Sequence, residues 1–386
     1  MFGDKMRKSL TDRQFGRSST KTIKGAAILL MLAHHLMDNP EKQWINMPEI
    51  YRLFPSIVGG MSIDRAVGSF GQICVSLFMF LGGYGLYKQM QDQSFSLFGK
   101  IKRLYITYWK YFIIFIPIGL AFFNKQSDYM VRSDFCHVFE NINIKTLVAC
   151  FWGWSFEINR EWWFLRSFVF FSLLTYVYVK NTQHIDNIYV ELLLLLVINI
   201  VLCGGFPALK NIEALAPLCN HKLMQIPNYY NNAACGCCSF MGAVIAKYGG
   251  MERIRYSLGV TGVIPEFFFS IVMLVSVFYM RLFVVDKTFD MFYCPVFTLT
   301  VWNLCGLIPV LRELLSVFGK YSTGIWLTHS LFLWYFEPTC KFIFAFSSIW
   351  IGYLILIIIS LIAAILVEKF YYGLKCAIHS LHQDFI

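Results

Sequence analysis

The sequence predicts an all-α fold, a polytopic transmembrane helix bundle of about ten spans. Three observations carry this. The 386 residues are 57% hydrophobic, 18% aromatic and only 15% charged, whereas soluble domains usually carry about 25% charge. The apolar residues come in repeated blocks of roughly 16 to 22, the length a helix needs to cross a hydrocarbon core. The blocks lack the alternation of barrel strands, which leaves helices to satisfy the backbone in lipid.

The blocks fall at about 22–38, 68–88, 104–123, 162–180, 188–206, 231–247, 260–280, 291–310, 322–338 and 347–368. They make one integral-membrane domain over 1–386, with tails at 1–21 and 369–386. Lys5, Arg7, Lys8, Arg13, Arg17, Lys21 and Lys24 precede the first block and place the N-terminal tail in the cytoplasm. Alternation then puts Lys88, Lys100, Lys102, Arg103, Lys180, Lys247, Arg253, Arg255, Arg312 and Lys320 inside as well. An even number of spans returns the C-terminal tail, with Lys369 and Lys375, to the cytoplasm. No small-residue cleavage site follows the first block, so it reads as a retained span.

The net charge of +10 follows from these loop residues. No like-charged block resembles a phosphate-tracking groove, so nucleic acid is not an expected partner. The twelve cysteines lie mostly inside apolar blocks, unlike the disulfide framework of a small secreted domain. "CGCC" (Cys235, Cys237, Cys238) fits no common zinc spacing, and no metal site is expected. The outer loops 39–67 and 124–161 are long. Within the second, "TLVACFWGWSF" (146–156) is too short to span and reads as re-entrant or interfacial.

Five stretches could carry chemistry. The first span, "KGAAILLMLAHHLMD" (24–38), holds Lys24, His34 and His35. Eleven positions make almost three helical turns, so Lys24 and His35 share a face about 16.5 Å apart, while His34 points about 100° away. An ionisable residue inside a span marks a functional candidate, and histidine can accept and return a proton near neutral pH. The register suits a long donor, with a phosphate at Lys24 and its reactive end near His35. In "KIKRLYITYWKY" (100–111), Lys100 and Arg103 lie one turn apart and could join Lys24 in a basic site. Lys102 reads as orientation charge.

"SLFMFLGGYGLYK" (76–88) presents Gly82, Gly83 and Gly85, which favour close helix packing or a bare surface for a slender substrate arm. "EINREWWFLRSF" (157–168) places Glu157 and Glu161 four residues apart. Glu161 could orient a histidine or grip a hydroxyl. Arg166, one turn further on, requires a partner or a polar cavity. "FGKYSTGIWLTHSLFLWYF" (318–336) holds Ser322 and His329, read as supporting residues. Glu266 stands as an isolated polar position in the seventh span.

Taken together and in order, these stretches resemble acyltransferase family 3, bacterial multi-span membrane proteins that acylate sugars and related acceptors. The family's first span carries a basic residue, ten intervening residues and a histidine, matched by Lys24 to His35. Arginine is usual at the basic position, so Lys24 keeps the charge and loses the forked guanidinium. "FLGGYG" (80–85), Lys100 to Arg103 with "RLYITYW", "WFLR" (163–166) and "YSTGIWLTH" (321–329) match further motifs. Ile106 and Thr107 replace two prolines of the family pattern, and the similarity is weakest over 180–310.

The resemblance implies His35 as base or acyl carrier, and Lys24, Lys100 and Arg103 as contacts of a donor phosphate. From the residues themselves, Glu161 stays a catalytic candidate that orients a histidine or grips an acceptor hydroxyl, and His34 a support. Tyr84, Ser322 and backbone groups are candidate oxyanion donors. The implied co-substrate is acyl-CoA, with acetyl-CoA expected and no tightly bound cofactor. The implied acceptor is a hydroxyl of a carbohydrate or lipid-linked glycan, in a bacterial cytoplasmic membrane. A transporter or flippase for lipid-linked glycans explains the spans equally well but has no need of the Lys24–His35 register, and a non-catalytic membrane sensor is a further rival.

Overall fold

The computed structural model describes residues 14–38, 61–130, 133–140, 142–205, 208, 211–212, 214, 230–260, 262–284 and 287–384. Lys5, Arg7, Lys8 and Arg13 of the N-terminal tail, and residues 39–60 of the first long loop, lie outside them. Among the described residues every regular element is helical. The main helices are α1 (Arg17–Met37), α2 (Ile63–Gly71), α3 (Ile73–Met90), α4 (Leu97–Phe122), α5 (Ile144–Phe151), α6 (Trp163–Thr182) and α7 (Ile188–Ile200). They continue with α8 (Tyr230–Lys247), α9 (Gly250–Ser257), α10 (Val263–Phe283), α11 (Asp290–Leu307), α12 (Pro309–Ser330), α13 (Glu337–Ile343) and α14 (Ile349–Asp384).

Each of the ten expected blocks overlaps a helical stretch among the described residues. Five stretches are long and apolar enough to cross a membrane by themselves: Ile63–Met90, Leu97–Phe122, Arg160–Thr182, Val263–Phe283 and Ile349–Ile378. The others are shorter or carry polar cargo. α1, for instance, holds Lys24, His34 and His35 within its 21 residues. The protein is therefore a multi-pass membrane protein.

The chain forms two compact units, each built from separated segments. Unit one takes residues 1–31, 72–97 and 164–319, and unit two takes 32–71, 98–163 and 320–386. In unit one, α3 and α8 pack backbone against backbone. A Cβ on Gly83 would sit 1.8 Å from the Ser239 carbonyl oxygen, and one on Gly242 would sit 2.0 Å from that of Phe80. Gly82 faces the Phe168 ring, while Gly85 has open space beside it. The glycine stripe of the second span thus serves close packing at Gly82 and Gly83. Glu266 is not isolated: Arg255 Nη2 donates to its Oε1 at 2.8 Å.

Unit two is built on aromatic residues of α4. Tyr108 and Trp162 meet edge to face at 5.1 Å, and both are fully buried. The short helix α5 runs along α4. The Tyr108 hydroxyl donates to the Cys150 carbonyl at 2.6 Å, and the Trp109 indole N–H donates to that of Phe151 at 2.8 Å. Those two rings sit near the middle of α4, and the end of α5 packs against them. There it stops on Gly153, whose φ of 67° closes the helix with a left-handed residue. The Trp154 N–H returns to the Ala149 carbonyl at 2.8 Å. The stretch 146–156 is the end of a short helix and a tight turn, which leads the chain toward Asn159.

Candidate active site

The site is built at the C-terminal end of α1, which apolar packing holds in place. Ile28 and Met31, on the face between Lys24 and His35, are buried, as are Leu32 and Leu36. α2 fixes the last turn. Its Gly68 approaches so closely that a Cβ there would lie 2.5 Å from the Asp38 nitrogen, and its carbonyl is 3.0 Å from His34 Nδ1. A carbonyl only accepts, so His34 carries its proton on Nδ1. His34 is thereby held by α2, and its ring centroid lies 5.1 Å from that of His35.

His35 faces Glu161, with Nε2 3.4 Å from Oε2, and both side chains are mostly buried. The carboxylate comes from a short 3-10 turn, Arg160–Trp162, which Asn159 caps. This turn is fastened to α12 on every side. The Asn159 amide donates to Ser330 Oγ at 2.8 Å, and its oxygen accepts from the Glu161 N–H at 3.1 Å. The Trp326 indole donates to the Glu161 carbonyl at 3.1 Å, and the Trp162 indole to that of Leu327 at 3.0 Å. The Arg160 N–H donates to the Tyr335 hydroxyl at 3.1 Å. Five hydrogen bonds thus leave the backbone beneath Glu161 little freedom, which presets the carboxylate against His35.

The third wall is α12 and the π-turn that ends it, Leu331–Tyr335. A π-turn inserts an extra residue into the helical repeat and shifts the side chains beyond it, a feature common at functional sites. His329 precedes the turn and Trp334 lies within it. The His329 ring centroid is 5.0 Å from that of His35, and the Trp334 ring meets His35 edge to face at 5.1 Å. Tyr129 pins the turn by donating to the Trp334 carbonyl at 2.7 Å. His329 Nδ1 lies 2.7 Å from the Trp326 carbonyl and 3.3 Å from that of Ile325. Both can only accept, so Nδ1 carries the proton and Nε2 is the lone-pair nitrogen. That nitrogen is buried and has no hydrogen-bond partner among the described residues.

The structure therefore brings four sequence-identified residues together within unit two: His34, His35, Glu161 and His329. The others lie as follows. Lys24 is half-buried on α1, in the part that belongs to unit one. Lys100 is half-buried and Arg103 exposed in the first turns of α4, in unit two. Tyr84 belongs to unit one and gives its hydroxyl proton to the Phe15 carbonyl at 3.1 Å. Arg166 is half-buried on α6 in unit one, and Ser322 is buried on α12 in unit two. Three contributors carried no sequence signal as site residues: Asn159, Ser330 and Trp334. Only the polar pair Asn159–Arg160 beside Glu161 could have pointed to the first of them.

The chemistry open to this group is proton transfer or nucleophilic attack by imidazole. Taking Nε2–H as the side turned to the carboxylate at 3.4 Å would leave the His35 lone pair on Nδ1. A carboxylate so placed fixes the tautomer and stabilises positive charge on the ring during reaction. No curated protein and no solved structure shows significant similarity to the chain. The family model for an acyltransferase domain matches residues 20–369. Nearly the whole chain is covered, and the protein belongs to acyltransferase family 3, a family of membrane acyltransferases.

Proposed function

We propose that the protein moves an acetyl or other short acyl group from acyl-CoA to a hydroxyl of a cell-surface or lipid-linked sugar. The observation that carries this reading is the His35–Glu161 pair, held at 3.4 Å beside His329 in a chain of this family. His35 acts through Nδ1, either as base toward the acceptor hydroxyl or as carrier of the acyl group. Glu161 holds the tautomer and balances the imidazolium charge. His34, anchored on Gly68, keeps the end of α1 in position. Lys24, Lys100 and Arg103 are assigned to the phosphates of the donor, since a nucleotide thioester brings several negative charges that cationic side chains neutralise. The expected cell location is the bacterial cytoplasmic membrane.

The test uses purified full-length protein in lipid nanodiscs, with acetyl-labelled acetyl-CoA and a glycan extract from membranes of the producing cells. Label should pass to glycan. It should fall by about 10³-fold in His35→Ala, while His34→Ala retains some transfer. Undiminished transfer by His35→Ala would remove His35 from the site. Sugar uptake with no label transfer from any short-chain donor would favour a transporter.

A further inference from the structure

His329 poses a chemical problem. Its Nδ1–H is committed to two backbone carbonyls, so the ring is locked in one tautomer. Its Nε2 is a lone pair without a donor among the described residues, buried in the same cluster as His35. A buried acceptor left unmatched is costly, so native structures rarely keep one without a use. The nitrogen is placed to accept from a donor that a bound substrate brings into the cluster. The donor available in an acyl transfer to a sugar is the acceptor hydroxyl.

We propose that His329 Nε2 is the base of the second half-reaction, taking the acceptor's proton while His35 carries the acyl group. This rests on the acyltransferase reading and deepens it. In the first half, His35 Nδ1 attacks the thioester carbonyl. The new C–N bond forms, the C–S bond breaks, and CoA leaves as thiolate. His35 is then an acylimidazolium, its Nε2–H still facing the Glu161 carboxylate. It has no lone pair to offer, so it cannot also be the base. In the second half, the acceptor oxygen attacks the acyl carbon and its proton passes to His329 Nε2. The C–N bond breaks and its electron pair returns to His35 Nδ1. The departed CoA thiolate has taken a proton from solvent, and His329, now an imidazolium, returns one to solvent. The products are the ester and CoA thiol, and every residue is restored.

The two halves can be read separately. Exchange of labelled free CoA into acetyl-CoA requires only the first, and acetylation of the membrane-glycan extract requires both. His329→Asn keeps a donor for the Trp326 carbonyl and removes the basic nitrogen. It should keep CoA exchange within about 3-fold of the parent and lose glycan acetylation by about 100-fold or more. His35→Ala should lose both. Glycan acetylation within about 3-fold of the parent in His329→Asn would overturn the proposal. So would loss of both activities in a variant that melts like the parent, or glycan acetylation by a parent protein that shows no CoA exchange. A parent that neither exchanges CoA nor labels glycan would instead sink the acyltransferase reading itself. Should His329→Asn not fold, His329→Gln serves in its place. If neither folds, the parent decides: a solvent deuterium effect of about 2 is expected on glycan acetylation and none on CoA exchange. Equal effects on both would count against His329.

Discussion

Two buried ion pairs of unit one differ from the histidine group of unit two. The pairs Arg281–Asp290 and Lys247–Glu191 are closed upon themselves. Arg281 Nε donates to Asp290 Oδ1 at 2.8 Å and its Nη2 to Oδ2 at 3.2 Å, and Ser76 adds a hydroxyl to Oδ2 at 2.6 Å. Lys247 divides its ammonium among Glu191 at 2.9 Å and the carbonyls of Thr182 and Ile185 at 2.7 Å each. Tyr178 completes Glu191 at 3.0 Å. In unit two, the pair at the end of α1 stands at 3.4 Å, and His329 keeps a buried lone pair without a donor. The tight groups have spent their bonding capacity on holding helices together. The loose group has capacity left, which is the condition for engaging a substrate.

The sharpest way to break this contrast is at Arg281. Arg281→Ala leaves Asp290 buried without its cation and should cost about 3–5 kcal/mol, seen as a collapsed melting temperature in detergent. Replacing both partners, as in Arg281→Met with Asp290→Leu, should restore most of that loss. If the single variant melts normally, the closed groups are not structural and the contrast fails. Next in size is Glu161→Gln, which should lower glycan acetylation by about 100-fold while leaving the melting temperature near that of the parent. A stability loss matching that at Arg281 would instead place Glu161 with the structural pairs.

Asn159→Ala tests the support beneath the site. It removes the cap of the 3-10 turn and strands Ser330, which should cost about 1–3 kcal/mol in stability. Turnover should fall more than donor affinity does, because Glu161 is displaced while the donor contacts are untouched. A variant with normal turnover would show that Glu161 holds its place without the cap.

The smallest effect belongs to the exposed cluster in the second long loop. His137 lies between Glu140 at 2.5 Å and Asp128 at 2.7 Å. Hydrogen bonds to Glu140 and then to Asp128 raise the His137 pKa, and the hydrogen bond to His137 lowers that of Glu140. The sign follows from each shift. The histidine contribution is complete below its ordinary value of 6.5 and is lost as pH rises through the raised one. The Glu140 contribution is complete above its ordinary value of 4.5 and is lost as pH falls through the lowered one. The loop should therefore be most firmly held between 4.5 and 6.5. Histidine NMR titration should give His137 a midpoint above 6.5 that moves back toward it in Glu140→Gln. An unchanged midpoint would remove the cluster from consideration.

How much of this was legible from sequence varies with distance along the chain. The helices were, because apolar blocks announce themselves wherever they lie. The Lys24–His35 register was, because a helix has one period and counting suffices. Glu161 could be named, since a carboxylate next to an apolar block stands out, although its partner was not written in its neighbourhood. Asn159 was missed because its meaning lies in Ser330, 171 residues away. Trp334 looked like one more aromatic of an apolar block until the π-turn set it against His35. Glu266 looked solitary because its cation, Arg255, lies on the helix before it. What was lost in each case was pairing across the fold, which local pattern does not encode.

The fastening of Glu161 to α12 also orders the assembly of the site in time. His34 and His35 leave the ribosome early, within the first apolar segment. The carboxylate follows more than a hundred residues later, and the turn that holds it has no anchor until residues 326–335 are made. A nascent chain therefore carries its histidine pair through most of synthesis without the residues that set its chemistry. The group around His35 is complete only when the final third of the protein has been made and has folded onto the earlier segments.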